Sequence, residues 1–522
     1  MDLRSIAVFG LLASGVPHAS AAQPEASVVR FDIMAYQVLG NTQLQAGKIE
    51  RAVYPFLGPQ RSAADVEGAR AALQSLYETA GLATVAVSIP EQDAASGLIT
   101  LQVSEQRVGQ VRVVGAEYYS PDDVIAGAPS LAEGGVPNFK DVQRDIVALN
   151  QLPDRRVTPQ VQAGARPNTV DVDLNVDDTL PLHGSLELNN RKSANTSELR
   201  LSAAVHYDNL WQRGHSFNFS AQTAPQHPDD ARVYSASYLA RFAQSPFSVL
   251  GYSVRSDSEV AAINNYNVIG NGSLSGLRLI RALANREGFF HSLSLGVDYK
   301  NFKEDTLFGS DRSSAPIKYA PLSAAYNGSW VRPRSTSTLT LTATANLRGV
   351  GDDAAQFDAK RYQAKPNFMH LRVDAAQTRT LGQDYQLYAH VQTQLAAEPL
   401  ISNEQFSLGG LDSVRGYDES QALGDVGAAA QLELRSPSFQ SAAAGLVQEA
   451  RAYAFVDGGY ARIRAPLPEQ RISETLVSTG VGFTVKAFAH LNGTLDIAAP
   501  LSSPDGQKSD DINVLFRLWG EF

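Results

Sequence analysis

The sequence predicts a mixed chain: two small α+β domains followed by a transmembrane antiparallel β-barrel of about sixteen strands. Three observations carry this. Residues 28 to 178 run twice through one order of patterns, β-α-α-β-β. From Leu182 to Phe522 no helical period persists, and segments of about ten residues alternate apolar and polar between turn residues. The first residues read as an export signal. The boundaries that follow are 1–22 for the signal peptide, 28–106 and 107–179 for the small domains, and 180–522 for the barrel.

In the signal, Arg4 and the amino group supply a positive start, partly offset by Asp2. Ile6 to Val16 is apolar but well short of the ~20 residues that span a bilayer. Small residues at Ala19-Ser20-Ala21 and Ser20-Ala21-Ala22 offer cleavage sites, so the mature chain is expected to start near Ala22 or Gln23. Composition sets limits without choosing a compartment. The absence of cysteine excludes disulfides, thiolate metal sites and Cys nucleophiles. A net charge of -10 over 522 residues argues against a nucleic-acid partner. With 19% charged residues and a mean hydropathy of -0.18, the chain is neither a disordered polyampholyte nor a helical membrane protein.

The first small domain starts with a strand over Val28 to Val38 and a turn at Gly40-Asn41-Thr42. Helices follow near Leu44 to Tyr54 and Ser62 to Ala80, the second carrying Val66, Ala69, Leu73, Leu76 and Tyr77 at helical spacing, with Gly81 as its C-cap. Strands at Thr84 to Ser88 and Gly97 to Val103 close it. The second domain places a strand at Val111 to Val114, helices near Pro121 to Ala126 and Phe139 to Asn150, and strands near Val157 to Ala163 and Thr169 to Val176. Each is long enough for a small core without disulfides. Leu39-Gly40-Asn41-Thr42, Leu76-Tyr77, Gly81-Leu82 and Ile89-Pro90-Glu91-Gln92-Asp93 closely resemble a POTRA domain. Leu149-Asn150-Gln151-Leu152-Pro153 with Arg156-Val157 resembles the second POTRA of two-partner secretion transporters.

In the third region, Leu199, Leu201, Ala203, Val205 and Tyr207 share one face, and Glu198, Arg200, Ser202, Ala204 and His206 the other. Ser216 to Gln222 and Gln386 to Gln394 alternate likewise. A soluble sandwich would alternate too, but one of about 340 residues is unusually large. A barrel in lipid turns its apolar face outward and its polar face to a lumen, and it must close so that no backbone group is left unpaired. The strands between Val254 and Leu279 are the hardest to delimit. The chain stops on Phe522 after Ile512, Val514, Phe516, Leu518 and Gly520 on one face, which resembles the closing strand that outer-membrane assembly machinery reads.

One long break, residues 397–425, interrupts the alternation. It contains FSLGGLDSVRGY from Phe406 to Tyr417, whose charges are Asp412 and Arg415. A break this long is functional or disordered, and this one lacks disorder-promoting composition. An arginine in a glycine-rich apolar loop seeks a carboxylate. Ala450 to Tyr460, ARAYAFVDGGY, supplies one: with Ala452, Ala454 and Val456 on lipid, the lumen receives Arg451, Tyr453, Phe455, Asp457 and Gly459. Asp457 can take Arg415 bidentately if the loop folds inward. Gly458 and Gly459 leave room for the loop backbone. Glu433 and Arg435 face the lumen by parity.

These motifs resemble the outer-membrane insertase and two-partner secretion superfamily. Val414-Arg415-Gly416-Tyr417 matches the tip of its long inward-folded loop, Phe455-Val456-Asp457-Gly458-Gly459 its F-x-D-x-G strand, and Gln431 to Arg435 the strand after the loop. The resemblance implies an outer-membrane transporter, monomeric, with its POTRA domains in the periplasm. There it recognises an unfolded exoprotein and passes it through the barrel. It also implies contact with outer-membrane lipid and, during biogenesis, with the barrel-assembly machinery. The family's plug helix ahead of the first POTRA is not expected, since about nine residues separate the cleavage site from Phe31. Nine histidines are scattered without H-E-x-x-H, and no P-loop or G-x-S-x-G elbow occurs, so no catalytic, cofactor or metal site is expected. The alternatives are an assembly factor that inserts other barrels and a passive porin.

Overall fold

A computed structural model describes residues 29–522, apart from 195, 243–244, 259, 264–265, 270, 285, 287, 304, 309–310, 440–445 and 504–511. The signal peptide and any plug helix lie outside the described residues. The chain divides into two compact units, one up to residue 112 with 128–147 and 159–174, the other comprising 113–127, 148–158 and 175–522.

The N-terminal domain contains β1 (Phe31–Ile33), β2 (Ala35–Leu39), α1 (Ala46–Val53), β3 (Gly58–Arg61), α2 (Ala63–Thr79), β4 (Val85–Ser88) and β5 (Leu98–Glu105). The sheet order is β2-β5-β4, with β2 parallel to β5, and β1 pairs with β3. The helical spacing of Ala69, Leu73 and Tyr77 turns one stripe of α2 onto Val85, Val87, Leu101 and Val103. Asp65 anchors the start of α2, its carboxylate accepting from Ser62 N–H and Oγ, both at 2.8 Å. Tyr77 Oη donates to Asn41 Oδ1 at 2.6 Å and ties the helix to the Gly40–Thr42 turn. The strand expected over Val28 to Val38 is broken into β1 and β2. β3 carries no strand pattern, because it is a Gly-Pro-Gln-Arg segment held by pairing rather than by propensity. The next elements are β6 (Arg107–Val114), α3 (Pro121–Ala126), α4 (Phe139–Leu149), β7 (Arg155–Ala163) and β8 (Thr169–Asp178), with sheet order β6-β8-β7.

The remaining strands begin with β9 (Leu182–Asn189), β10 (Arg200–Leu210), β11 (His215–Thr223), β12 (Arg232–Arg241), β13 (Phe247–Ser256), a hairpin β14 (Val260–Ile263) and β15 (Tyr266–Ile269), and β16 (Gly272–Ala282). They continue with β17 (Phe289–Phe302), a hairpin β18 (Asp305–Phe308) and β19 (Asp311–Ser314), β20 (Ile317–Arg332), β21 (Ser335–Gly351), β22 (Met369–Thr380) and β23 (Gln386–Ala396). After the short pair β24 (Phe406–Leu408) and β25 (Ala422–Gly424) come β26 (Val426–Arg435), β27 (Val447–Arg462), β28 (Ser473–Ala487), β29 (Leu491–Pro500) and β30 (Asn513–Glu521). Without the three hairpins these form a closed antiparallel barrel of sixteen strands, β30 pairing back onto β9. Closure leaves no unpaired edge in lipid. Leu277, Leu279, Leu293, Leu295 and Val297 stand exposed on the outer face, as a lipid-facing band requires.

The lumen departs from the simple polar expectation. Tyr252, Val254, Leu274, Phe302, Ile317 and Tyr319 point inward and join Phe357, Phe368, Leu400 and Ile401 in one buried apolar cluster. In β13 the inside therefore takes Val254 while Arg255 is exposed. That inversion is why the alternation between Val254 and Leu279 is hard to read.

Candidate functional site

Residues 397–425 leave β23, enter the barrel and return to β26. Phe406, Leu408, Val414, Tyr417 and Ala422 carry the loop's own apolar surface against Ala429, Ala461 and Leu476 of the wall. A loop with its own apolar core gains from burial inside the barrel, and this adds to whatever its charges contribute. The wall is shaped for it at Gly427 and Gly459. A Cβ at Gly459 would lie 2.3 Å from Leu408 and 3.2 Å from Val414, and one at Gly427 would lie 2.2 Å from Phe406. Gly458 has open space at its Cβ, so the close approach falls on Gly459 alone, and side chains rather than loop backbone fill it. The reason is parity, since Gly458 follows Val456 onto the lipid side.

Arg415 lies at the centre and is 3% exposed. Its Nε and NH2 donate to the two oxygens of Asp457 at 2.7 and 2.9 Å, the parallel fork expected from sequence. The Arg415 backbone N–H adds a third bond to Asp457 at 3.1 Å. Glu433 accepts from NH1 at 2.7 Å and Asp496 from the same nitrogen at 3.1 Å. Beneath, the guanidinium carbon lies 3.6 Å from the centroid of the Phe455 ring. Phe455 is seated over Gly480, its direct partner on β28, where a Cβ would meet the ring at 2.5 Å. Around this centre Arg435 binds the other oxygen of Glu433 at 2.6 Å, and Tyr453 Oη donates to Asp496 at 2.9 Å. Two guanidinium charges thus face three carboxylates, all of them buried except Arg435, whose side chain is partly exposed. Val414 is fully buried, Tyr417 Oη donates to the Val477 carbonyl at 2.9 Å, and Gly416 has φ of +92°, a conformation that glycine adopts without strain. Val414, Arg415, Gly416 and Tyr417 of the loop meet Glu433, Arg435, Phe455, Asp457 and Gly459 of the wall here, whereas Arg451 pairs with Asp384 and Glu449 and Asp412 with Arg191. Phe522 stands apart at the β9–β30 seam, exchanging backbone hydrogen bonds with Gly184 at 2.8 and 3.0 Å.

Sequence reasoning missed three further anchors. Where the loop enters, Glu404 is buried between Lys300 (2.5 Å), Tyr319 Oη (2.6 Å) and His370 Nε2 (3.1 Å). Where it leaves, Asp425 takes both nitrogens of Arg361 at 2.6 and 2.9 Å and accepts the Leu400 and Arg464 N–H groups. Near the tip, Arg191 binds Asp412 at 2.6 Å and Glu419 at 2.8 Å. Asp496 was findable by parity, as the one carboxylate on the inner face of β29. Glu404 and Asp425 had no local signal, because their side-chain partners lie 34 to 104 residues away, Lys300, Tyr319 and His370 on strands and Arg361 just after a helix.

Comparison with known proteins agrees with this architecture. Residues 168–485 match the family described as haemolysin secretion/activation protein ShlB/FhaC/HecB, and residues 31–106 match the ShlB-type POTRA domain. The chain is 24% identical over 505 residues to the outer membrane transporter CdiB of Escherichia coli O6:K15:H31 (strain 536 / UPEC), covering 94% of this chain and 82% of that protein. Among solved structures it resembles CdiB from Escherichia coli, with a TM-score of 0.71 at 22% identity over 97% of this chain and 93% of the other. BamA from Haemophilus ducreyi lacking POTRA domains 1-3 aligns at a TM-score of 0.56 and 13% identity, over 94% of this chain and 100% of the other. The chain belongs to the haemolysin secretion/activation family ShlB/FhaC/HecB, the outer-membrane transporters of two-partner secretion.

Proposed function

We propose that this transporter exports one unfolded exoprotein by releasing the loop 397–425 from its seat, with Arg415 as the latch and Asp457, Glu433 and Asp496 as its catch. The observation that carries the reading is the Arg415 site itself, a buried charge cluster that holds the loop to the inner wall and can be broken locally. Removing one member of a buried charge pair costs about 3–5 kcal/mol, because the remaining charges stay desolvated. That is enough to shift a docked loop toward release while the barrel's own hydrogen bonds stay intact.

Residues 28–106 and 107–179 serve as two periplasmic POTRA domains that receive the cargo. A groove of about 310 Å³ between α4 and the edge strand β7 favours this. Phe139, Val142 and Val147 line it on the helix side and Pro159 and Val161 on the strand side. An edge strand beside an apolar groove accepts an extended segment by strand addition, the groove taking alternate side chains. The outer partners are lipid and, during insertion, the assembly machinery that reads the strand ending at Phe522. The transporter acts as a monomer, with no catalytic step, nucleotide or cofactor, and folding of the cargo outside supplies the free energy.

The test compares Arg415→Ala and Asp457→Ala with wild type for cargo secretion, for heat-modifiable mobility as a measure of barrel folding, and for conductance in planar bilayers. Secretion is expected to fall sharply, folding to persist, and conductance to rise. Wild-type secretion by both variants would sink the latch. Loss of many outer-membrane proteins on deletion of the gene would point instead to an assembly factor. Steady open conductance of the wild-type chain would point to a porin.

A further inference from the structure

At the barrel end that the chain enters from its N-terminal domains, three of the scattered histidine and acidic side chains converge. His183 on β9 pairs directly across the strands with His206 on β10. Two positions on, Asp208 shares the face of His206. By parity these residues follow Ser185, Glu187, Ser202 and Ala204, which line the lumenal cavity. The metal-ligating atoms of His183, His206 and Asp208 all lie within 4.8 Å of one another. The two imidazoles stack with centroids 4.7 Å apart, and His206 Nε2 is 3.2 Å from Asp208 Oδ2.

A fourth group comes from the turn ahead of β7. Asp154 Oδ1 lies 2.7 Å from His183 Nε2, and the Asp154 carbonyl accepts the Thr179 N–H at 3.0 Å, which holds the turn against the start of β9. Asp154 is 6% exposed, and its second oxygen, Oδ2, is buried with no hydrogen-bond partner among the described residues. Two self-contained histidine–carboxylate pairs would explain the imidazoles. They do not explain a desolvated carboxylate oxygen left without a donor, which costs free energy unless something binds it.

We infer that His183, His206, Asp208 and Asp154 form a binding site for a divalent transition-metal ion of the zinc class, tying β9 and β10 to the turn before β7. The donor set favours it. Two neutral imidazoles with two carboxylates suit Zn²⁺ in type and number and balance its charge, whereas imidazole disfavours Ca²⁺ and Mg²⁺. Ligands about 2.1 Å from one tetrahedral ion lie ~3.4 Å apart. The three clustered side chains therefore need to close by up to about 1.4 Å, within rotamer adjustment, and Asp154, which lies against His183 outside that cluster, turns its second oxygen toward them. On binding, His183 exchanges its hydrogen bond with Asp154 for the ion, His206 its contact with Asp208, and Asp154 Oδ2 gains a partner.

The experiment uses the untagged full-length chain in detergent, stripped with chelator and titrated with Zn²⁺ alone against a chromophoric competitor, then with Co²⁺ followed by its visible absorption. One ion per chain and a Co²⁺ spectrum of tetrahedral intensity are expected. His183→Gln, His206→Gln and Asp154→Asn should each weaken binding about 10-fold or more, since even an outer-shell partner is worth 10–100-fold. His227→Gln, in a loop away from the cluster, should bind as wild type. Heat-modifiable mobility establishes that each variant is folded, and Asp208→Asn replaces any that is not. Absence of stoichiometric binding by wild type, or unchanged affinity in the folded variants, would overturn the site.

Discussion

Gly459 shows how much of the loop's seat depends on a missing atom. Leu408 and Val414 occupy the space a side chain would fill, and Asp457 two residues earlier holds Arg415. Gly459→Val should therefore unseat the loop without touching a charge. Overpacking costs about 1–3 kcal/mol, and the expected result is raised bilayer conductance with unchanged heat-modifiability. Conductance equal to wild type would show that the seat tolerates the intrusion. Phe455 makes the complementary point. It packs on Gly480 below and carries the guanidinium above, so an F-x-D-x-G pattern is one binding surface written along a strand.

At the scale of elements, the loop is a tethered body rather than a free lid. Glu404 and Asp425 fasten its two ends, Arg191 its flank and Arg415 its tip. Because the native chain has no cysteine, its movement can be tested covalently against a clean background. Ser193 and Glu419 form an isolated β-bridge, close enough for a disulfide. Ser193→Cys with Glu419→Cys should block secretion when oxidised and recover it on reduction. Equal secretion in both states would show that cargo passes with the loop in place. In the N-terminal domain, burial pushes the Tyr36 and Tyr77 hydroxyls up to about 12, with the Asp65 and Glu105 charges next in weight. A raised value means the folded state holds the proton more tightly. The stabilisation is thus complete below the unfolded value of ~10 and is lost as pH rises from there toward about 12. Tyrosinate absorbance and loss of α2 amide protection should then rise together above pH ~10, and Tyr77→Phe should reduce that pH dependence.

At the scale of the whole molecule, closure is made by a short seam. Arg517 to Glu521 pair with Asn189 to Ser185, five residues against the eight that join β9 to β10, and Phe522 extends the seam onto Gly184. Phe522→Ala should lower the yield of folded barrel in the outer membrane more than it lowers secretion per folded barrel. An unchanged yield would remove Phe522 from assembly. The barrel was legible because alternation is a local consequence of strand geometry in lipid, repeated about sixteen times. It blurred between Val254 and Leu279, where apolar residues point into the lumen instead of out of it.

From the sequence alone came the paired small domains, the barrel and the partnership of Arg415 with Asp457, since parity along one strand and a charge in an apolar loop are readable without coordinates. The tertiary structure decided what depends on residues far apart in the chain. It added Asp496 and the Glu404 and Asp425 anchors to the loop, and it brought His183, His206 and Asp208 into one place with Asp154 against His183. Spacing cannot encode such groups, because strand register, the path of the inserted loop and the packing of turns against strands are set by residues far apart in the chain.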